Sequence, residues 1–253
     1  MIPAIEKDLG TLPYVIDSVR KMVKHPIGRF YIVSPATDRM KELCSRKGCT
    51  FIDERSLLPI TPKSINYRSA AWERSGWLYQ QLLKLSGDRL CTAKYYLVID
   101  ADTVLIRPHI FRTGDGRNVF YTRSWSQPEY FVTYAKLLGR KPPRPSSFVT
   151  HYMLFERSKV AELKRAIEHR HGMSWYKAII QSINMRKQFG FSEFETYANY
   201  CYSDNRSGQK LLPARNISLH MNASQMTEAK LKKLAARYRS ISFHKRKGYS
   251  RKG

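Results

Sequence analysis

The sequence predicts an α/β protein with a Rossmann-type mixed sheet, mostly parallel and flanked by helices. Short apolar, β-branched segments alternate with amphipathic helical segments from the start of the chain, which is typical of parallel sheets with crossover helices. With 253 residues, of which 42% are hydrophobic, the chain can bury a sizeable core. We expect one domain over residues 1–244, followed by a basic tail over residues 245–253 that is disordered when free.

The elements are predicted from apolar periodicity and from capping residues. Strands are expected at residues 30–33, 51–53, 95–99, 119–121, 148–155 and 241–244, and helices at residues 14–24, 38–46, 69–85, 158–170, 174–183 and 227–239. Ser158 and Ser192 are predicted to be helix N-caps. The aromatic, basic and proline-bearing residues 127–145 are predicted to form a loop near an acceptor.

Two aspartates, Asp100 and Asp102, follow the apolar strand at residues 95–99. Open α/β sheets bind their ligands at this carboxyl edge. Because carboxylates so close together repel each other, we expect a cation or a shared proton between them. Hard oxygen ligands favour Mg²⁺ or Mn²⁺. The alternative is that the aspartates only cap a turn. The apolar residues 104–106 weaken it, because they place the two charges between two segments that are expected to be buried.

The Asp100-Ala101-Asp102 motif resembles the D-x-D motif of nucleotide-sugar-dependent glycosyltransferases of the GT-A fold. Further stretches resemble a bacterial family of glycosyltransferase-like proteins of largely unassigned function, at residues 5–9, 12–17, 76–85, 147–155 and 191–197. The resemblance spans nearly the whole chain. It implies a GT-A-like fold and a metal-dependent enzyme that moves a sugar from a nucleotide-sugar donor to a glycan or surface-polysaccharide acceptor.

The metal and donor residues follow from this interpretation. Mn²⁺ or Mg²⁺ held by Asp102, with help from Asp100, would neutralise the leaving diphosphate. In enzymes of the resembled type a histidine near the C-terminus completes the metal site, for which His244 is the first candidate and His220 the second.

Three other residues are candidates for substrate contacts. Lys84 lies on the helix that leads into the D-x-D strand, where it contacts the donor diphosphate or is simply solvated. Asp8 follows residues 1–5, which are predicted to be the end of a first strand, close to the expected nucleotide pocket. His151 interrupts an apolar strand; such a histidine is usually a satisfied core residue, but the family resemblance makes it a candidate acceptor contact.

Glu193 and Glu195 begin a predicted helix after Ser192. The helix dipole favours carboxylates in a first turn, which accounts for both glutamates structurally. The acidic helix start also resembles that of inverting enzymes of this fold, which implies that one glutamate deprotonates the acceptor hydroxyl. The sequence leaves open which one, and whether the enzyme inverts or retains.

The formal net charge of +25 and the pI of about 10.1 point to an anionic partner: nucleic acid, an anionic membrane surface or an acidic polymer. The main alternative function is therefore a nucleic-acid- or polyanion-binding protein without catalysis. No helix-turn-helix, zinc-finger or RNA-recognition signature occurs, which argues against nucleic acid. The basic C-terminus predicts a peripheral contact with an anionic membrane.

A second alternative is a haloacid-dehalogenase-type phosphatase, with Asp100 as nucleophile and Asp102 as acid/base. That motif normally lies on the first strand, and it requires later paired aspartates, whereas only Asp115 and Asp204 follow here.

The expected location is the cytoplasm, including the inner face of the membrane. Four scattered cysteines suit a reducing compartment. No run of eighteen apolar residues and no signal-peptide pattern occurs in the sequence.

Overall fold

The computed structural model of the protein describes residues 1–143 and 146–244, so the predicted tail lies outside the described residues. The strands are β1 Ile2–Pro3, β2 Tyr31–Ser34, β3 Thr50–Asp53, β4 Tyr95–Ile99, β5 Thr103–Leu105, β6 Asn118–Thr122, β7 Tyr152–Glu156, β8 Gln209–Pro213, β9 Asn216–Leu219 and β10 Ser240–Phe243. The helices are α1 Leu12–Met22, α2 Asp38–Arg46, α3 Ser75–Leu85, α4 Gly87–Leu90, α5 Pro128–Leu138, α6 Arg157–His171, α7 Trp175–Ser182, α8 Glu193–Asp204 and α9 Glu228–Ala235.

The central sheet is mixed, as predicted. Strands β3, β2 and β1 are parallel neighbours. Strand β1 continues onto β4, because the Met1 backbone nitrogen donates to the Leu97 carbonyl (2.8 Å) and the Ile99 nitrogen donates to the Met1 carbonyl (3.3 Å). Strand β4 pairs with β7 in antiparallel orientation, and β6 pairs with β8 in parallel. The carboxyl ends of β1, β2 and β4 therefore lie along one edge.

A second sheet brings the end of the described chain to that edge. Strand β10 is antiparallel to β5 and parallel to β9. The Phe243 nitrogen donates to the Asp102 carbonyl at 2.8 Å. Residue 244 is thereby held beside the Asp100-Ala101-Asp102 turn, although more than a hundred residues separate them in sequence.

The central sheet is covered on both faces. Alternate residues of β4 point to opposite sides, so that Tyr96 and Val98 join a core with α3, α6, α7 and α8, while Ile99 joins a core with α1 and α2. A strand buried on both faces reads as a continuous apolar run, which is why β4 was predictable.

The predicted loop at residues 127–145 is wrong, because most of it forms α5. Pro128 occupies the first helical turn, where a missing N–H is harmless. Tyr130, Thr133, Tyr134 and Leu137 are buried at helical spacing, and this packing outweighs the aromatic and proline content.

Several boundaries also differ from those predicted. Helix α3 begins at Ser75 rather than residue 69, because residues 68–73 turn back on themselves through an Arg68–Glu73 bridge. Glu156, not Ser158, occupies the N-cap position of α6. Strand β8 was not predicted. The N-cap at Ser192 is confirmed, since its hydroxyl accepts a hydrogen bond from the Glu195 nitrogen at 3.3 Å.

Replacing Gly87 with alanine is expected to reduce the free energy of unfolding by about 1–3 kcal/mol through overpacking. An added Cβ would collide with the Tyr96 ring, whose hydroxyl donates to the Lys84 carbonyl at 3.1 Å. Gly76→Ala is the control, because a Cβ there meets nothing within 4 Å and Gly76 is helical. Urea denaturation would measure both, and an equal change in the two variants would contradict the expected clash.

Candidate active site

The Asp100-Ala101-Asp102 turn lies where β4 ends and β5 begins, and the Thr103 nitrogen donates to the Asp100 carbonyl at 3.1 Å. Four other elements direct side chains towards it. Lys84 comes from the last turn of α3, Glu193 from the first turn of α8, His151 from the residue before β7 and His244 from the residue after β10.

Asp100 is held at both of its oxygens, by Lys84 and by His151. The Lys84 ammonium contacts Asp100 Oδ1 at 2.5 Å and Glu193 Oε1 at 2.6 Å. His151 Nδ1 lies 3.0 Å from Asp100 Oδ2. The Lys84 and Glu193 side chains are only 5% and 2% exposed, which excludes the alternative that Lys84 is a solvated lysine.

Asp100, Lys84 and Glu193 shift one another's pKa. Burial alone would raise the pKa of Asp100, but the Lys84 ammonium and the His151 hydrogen bond outweigh it and hold that pKa far below its ordinary value. Burial would lower the pKa of Lys84, yet the charges of Asp100 and Glu193 raise it overall. Burial raises the pKa of Glu193, against the opposing influence of Lys84. Asp100 and Lys84 therefore form a buried ion pair at neutral pH.

His151 owes its position to an unusual backbone conformation, with a φ of 70° in the left-handed region. Non-glycine residues adopt this region rarely and with strain, often at functional sites. The His151 carbonyl accepts a hydrogen bond from the Asp100 nitrogen at 2.9 Å, and its ring lies beside the Asp100 carboxylate. The predicted strand at residues 148–155 accordingly begins only at Tyr152.

Asp102 and His244 form a second, more open pair. His244 Nδ1 lies 3.3 Å from Asp102 Oδ2, and the two side chains are 26% and 33% exposed, respectively. The His151 and His244 rings have centroids 6.0 Å apart, so both histidines border the same turn. Of the two predicted histidines, His244 is the one whose ring contacts Asp102.

The side chains at the turn decide whether a divalent ion fits there. Within residues 1–143 and 146–244, no group of three or more His, Cys, Asp or Glu side chains is arranged to hold a metal. Asp102 and His244 offer one oxygen and one nitrogen donor, whereas the two oxygens of Asp100 contact Lys84 and His151. Because Mg²⁺ is commonly held by one or two carboxylates together with substrate phosphates, this pair fits an ion whose other ligands come from a diphosphate.

Glu195 points to a separate environment, away from Lys84. Its Oε2 accepts a hydrogen bond from the Phe148 nitrogen at 2.7 Å, while Oε1 has no hydrogen-bond partner among the described residues. Burial raises the pKa of Glu195 to about 7, despite the Phe148 hydrogen bond, the Ser147 hydroxyl and the Arg123 charge, all of which lower it. Neither glutamate is open to solvent, since each is 2% exposed.

Stability should depend on the ionisation of Glu195. Its folded-state pKa of about 7 lies above the ordinary value of 4.5. The protonated form therefore contributes stability that is fully present below about pH 4.5 and is lost as the pH rises through 7. Relative to Glu195→Gln, the wild type should lose on the order of 3 kcal/mol between about pH 4.5 and pH 8. Urea denaturation of both proteins across this range checks the effect, and parallel stability curves would contradict it.

Asp8 lies at the same sheet edge, just beyond β1. Its Oδ2 accepts a hydrogen bond from the Ile5 nitrogen at 3.0 Å, which closes the 3-10 turn at Glu6–Asp8. Because β1 neighbours β4, the turn lies on the side of the D-x-D motif where a nucleotide was predicted.

Gln81 and Phe148 were not predicted as site residues. Gln81 Oε1 accepts a hydrogen bond from the Glu193 nitrogen at 3.2 Å, and its Nε2 has no partner within the described part of the chain. Phe148 contributes its backbone N–H to Glu195, and a backbone group cannot be recognised from the type of side chain. The glutamine on α3 was visible as a polar residue within an apolar helix.

Residues 5–230 match the model of a family described as "Family of unknown function (DUF6492)". The chain belongs to this family. No curated protein matches this DUF6492 chain significantly.

Solved structures resemble it in fold. The galactosyltransferase LgtC, in complex with donor and acceptor sugar analogues, is 14% identical with a TM-score of 0.51, over 96% of this chain and 85% of LgtC. Mouse xyloside xylosyltransferase 1 is 12% identical with a TM-score of 0.50, over 95% of each chain. The predicted GT-A fold is therefore confirmed, and it does not favour the phosphatase alternative. Among the described helices, none is long and apolar enough to cross a membrane.

Proposed function

We propose that this DUF6492 protein is a metal-dependent glycosyltransferase that transfers a sugar from a nucleotide-sugar donor to a glycan or other anionic polymer. The observation that carries the proposal is the Asp102–His244 pair, which stands partly open at the carboxyl edge of a GT-A sheet. Ligands bind at this edge in open α/β sheets. The solved structures of similar fold are named as sugar transferases, which supports the same class of reaction.

Asp102 and His244 would hold Mn²⁺ or Mg²⁺ together with the donor diphosphate. When bound, the ion supplies positive charge that stabilises the leaving diphosphate. Asp102 is suited to this role because its side chain is 33% exposed, whereas Asp100 is occupied by Lys84 and His151.

Asp100, Lys84 and His151 would position the turn and the sugar. The buried Lys84 ion pairs join α3, the D-x-D turn and the start of α8 at one point. Lys84 was predicted to contact the diphosphate; in this proposal its charge acts on the donor through Asp100. His151 remains the proposed acceptor or sugar contact, and Asp8 a proposed contact to the nucleotide.

Of the two candidate bases, Glu195 suits proton abstraction better than Glu193. A pKa of about 7 is close to the pH at which a general base works best, whereas Glu193 is bound to the Lys84 ammonium. If the enzyme inverts, Glu195→Gln should reduce turnover about 10²- to 10⁴-fold with unchanged donor affinity. Steady-state kinetics with Glu193→Gln alongside would check this, and normal turnover by both variants would assign the base elsewhere or indicate retention.

The proposed location is the cytoplasm, where nucleotide sugars are available. The net charge of +25 suits an acidic acceptor polymer held by long-range attraction. The contact between the basic C-terminus and an anionic membrane stays a prediction.

Release of nucleoside diphosphate is the direct test of the proposed activity. The protein would be incubated with a panel of nucleotide sugars, with Mn²⁺ or with a chelator, in the presence and absence of acidic glycans. We expect metal-dependent release from one donor, accelerated by an acceptor. Absence of release from every donor, from protein shown to be folded, would contradict the proposal.

A further inference from the structure

The amino edge of the central sheet, opposite the D-x-D turn, carries a cleft that the proposed function does not use. The cleft has a volume of about 540 Å³ and is lined by residues that precede β2 and β3 and by the end of α1: Arg20, Val23, His25, Ile27, Gly28, Arg29, Phe30, Gly48 and Thr50. We propose that this edge docks the protein on an anionic phospholipid bilayer, with lipid phosphate groups in the cleft.

The charged residues along this edge are predominantly basic. Residues 20–30 contain Arg20, Lys21, Lys24 and Arg29 and no acidic residue. Lys21, Lys24 and Arg29 are exposed. The acidic residue nearest to this segment in sequence, Asp17, is paired with Lys47 at 2.6 Å. Asp115, which follows the adjoining segment at residues 109–112, is paired with Arg117 at 2.8 Å. Each Lys or Arg close to an anionic leaflet contributes about 1 kcal/mol of attraction.

Arg20 is fixed in the wall of the cleft. Its Nη2 donates to the Gly48 carbonyl at 3.2 Å, and its guanidinium lies over the Phe30 ring at 5.5 Å from the centroid. An arginine held in this way presents its remaining donors without first being ordered, which suits recognition of a phosphate oxygen.

Apolar side chains lie beside the basic ones at this edge. This combination favours a bilayer over a soluble polyanion as the partner. Residues 26–29 are all exposed in succession, and Ile27 is 40% exposed among them. Ile110 is 37% exposed on the neighbouring segment. An exposed isoleucine between cations matches the boundary between lipid headgroups and acyl chains.

The two segments form one surface because His25 joins them. His25 Nε2 accepts hydrogen bonds from the Phe111 nitrogen (2.7 Å) and the Arg112 nitrogen (3.3 Å). The Lys24 nitrogen also donates to the His109 carbonyl at 2.9 Å. Residues 20–30 and 109–112 are therefore held together as one surface. A bilayer bound there would leave the D-x-D edge facing the aqueous phase.

Vesicle co-sedimentation of the full chain tests the proposal, with vesicles of about three parts phosphatidylcholine to one part phosphatidylglycerol. The triple variant Lys24→Glu/Ile27→Asp/Arg29→Glu should lose at least about tenfold in vesicle affinity, or about 1.4 kcal/mol. The control Lys232→Glu/Lys233→Glu/Val132→Asp makes the same charge change at exposed positions elsewhere and should lose less than about twofold. Binding should weaken as salt is raised from about 0.1 M to about 1 M.

A variant with increased affinity shows whether misfolding explains the loss of vesicle binding in the triple variant. Ile27→Trp should raise vesicle affinity, because tryptophan favours the membrane interface. Three results would each overturn the proposal. The first is an equal loss of affinity in the two triple variants, and the second is equal binding of the wild type to vesicles of pure phosphatidylcholine. The third is a protein that binds heparin but does not bind the vesicles. Asp102→Asn should bind vesicles normally, so that failure of the docking surface is distinguished from failure of the catalytic proposal.

Discussion

Lys84→Met is expected to lower the free energy of unfolding by about 3–5 kcal/mol, the largest stability effect in the site. The substitution removes the ammonium that contacts both Asp100 Oδ1 and Glu193 Oε1, and it leaves the buried Glu193 carboxylate without this charge partner. Burial of an unpaired charge is far more destabilising than the loss of a surface ion pair. Urea or thermal denaturation at neutral pH measures the change.

Lys159→Met is a matched control for this prediction. Lys159 also contacts two carboxylates, Glu162 at 2.9 Å and Asp204 at 2.7 Å, but its side chain is 32% exposed. We expect a loss of no more than about 1 kcal/mol for it. Adding Glu193→Gln to Lys84→Met should restore part of the lost stability, because a charge is removed with its partner. Equal losses for the two lysines would contradict a buried ion-pair network.

Asp102→Asn is expected to have the largest effect on function, reducing turnover about 10²- to 10³-fold and abolishing metal-dependent nucleotide binding. An amide cannot replace the carboxylate charge beside His244. Folding should be preserved, because the side chain is one-third exposed and its hydrogen bond from Thr103 is long, at 3.3 Å.

Asp115→Asn is the control for the catalytic substitution. Asp115 is exposed and pairs with Arg117 at 2.8 Å in the turn that leads into β6. It should leave turnover and nucleotide affinity unchanged. Comparable losses in the two variants would show that the effect of Asp102→Asn is not specific to the site.

The D-x-D edge of the fold was predictable because its signals are local. Strand β4 is a continuous apolar run that ends in two charges, and helix–strand alternation indicates a parallel sheet before any contact is known. Ser192 was predictable as an N-cap because capping depends on residues within one turn. The division into a single domain over residues 1–244 stays a prediction.

The pairings within the site were not predictable, because they depend on the tertiary fold. Lys84 and Glu193 are 109 residues apart, and no sequence pattern shows that α3 and α8 meet at Asp100. The left-handed backbone of His151 likewise arises from a turn that interrupts an apolar segment. Helix α5 was missed because its aromatic and proline content outweighed its helical periodicity in the prediction.

Thermal denaturation with a panel of nucleoside diphosphates and nucleotide sugars, each with and without Mn²⁺, tests the central claim most directly. A ligand at about 100 times its Kd should raise stability by about 2.7 kcal/mol. We expect a Mn²⁺-dependent rise for one nucleotide in the wild type and none in Asp102→Asn. No Mn²⁺-dependent rise with any nucleotide, or the same rise in Asp102→Asn, would contradict a metal-assisted nucleotide site at Asp102 and His244.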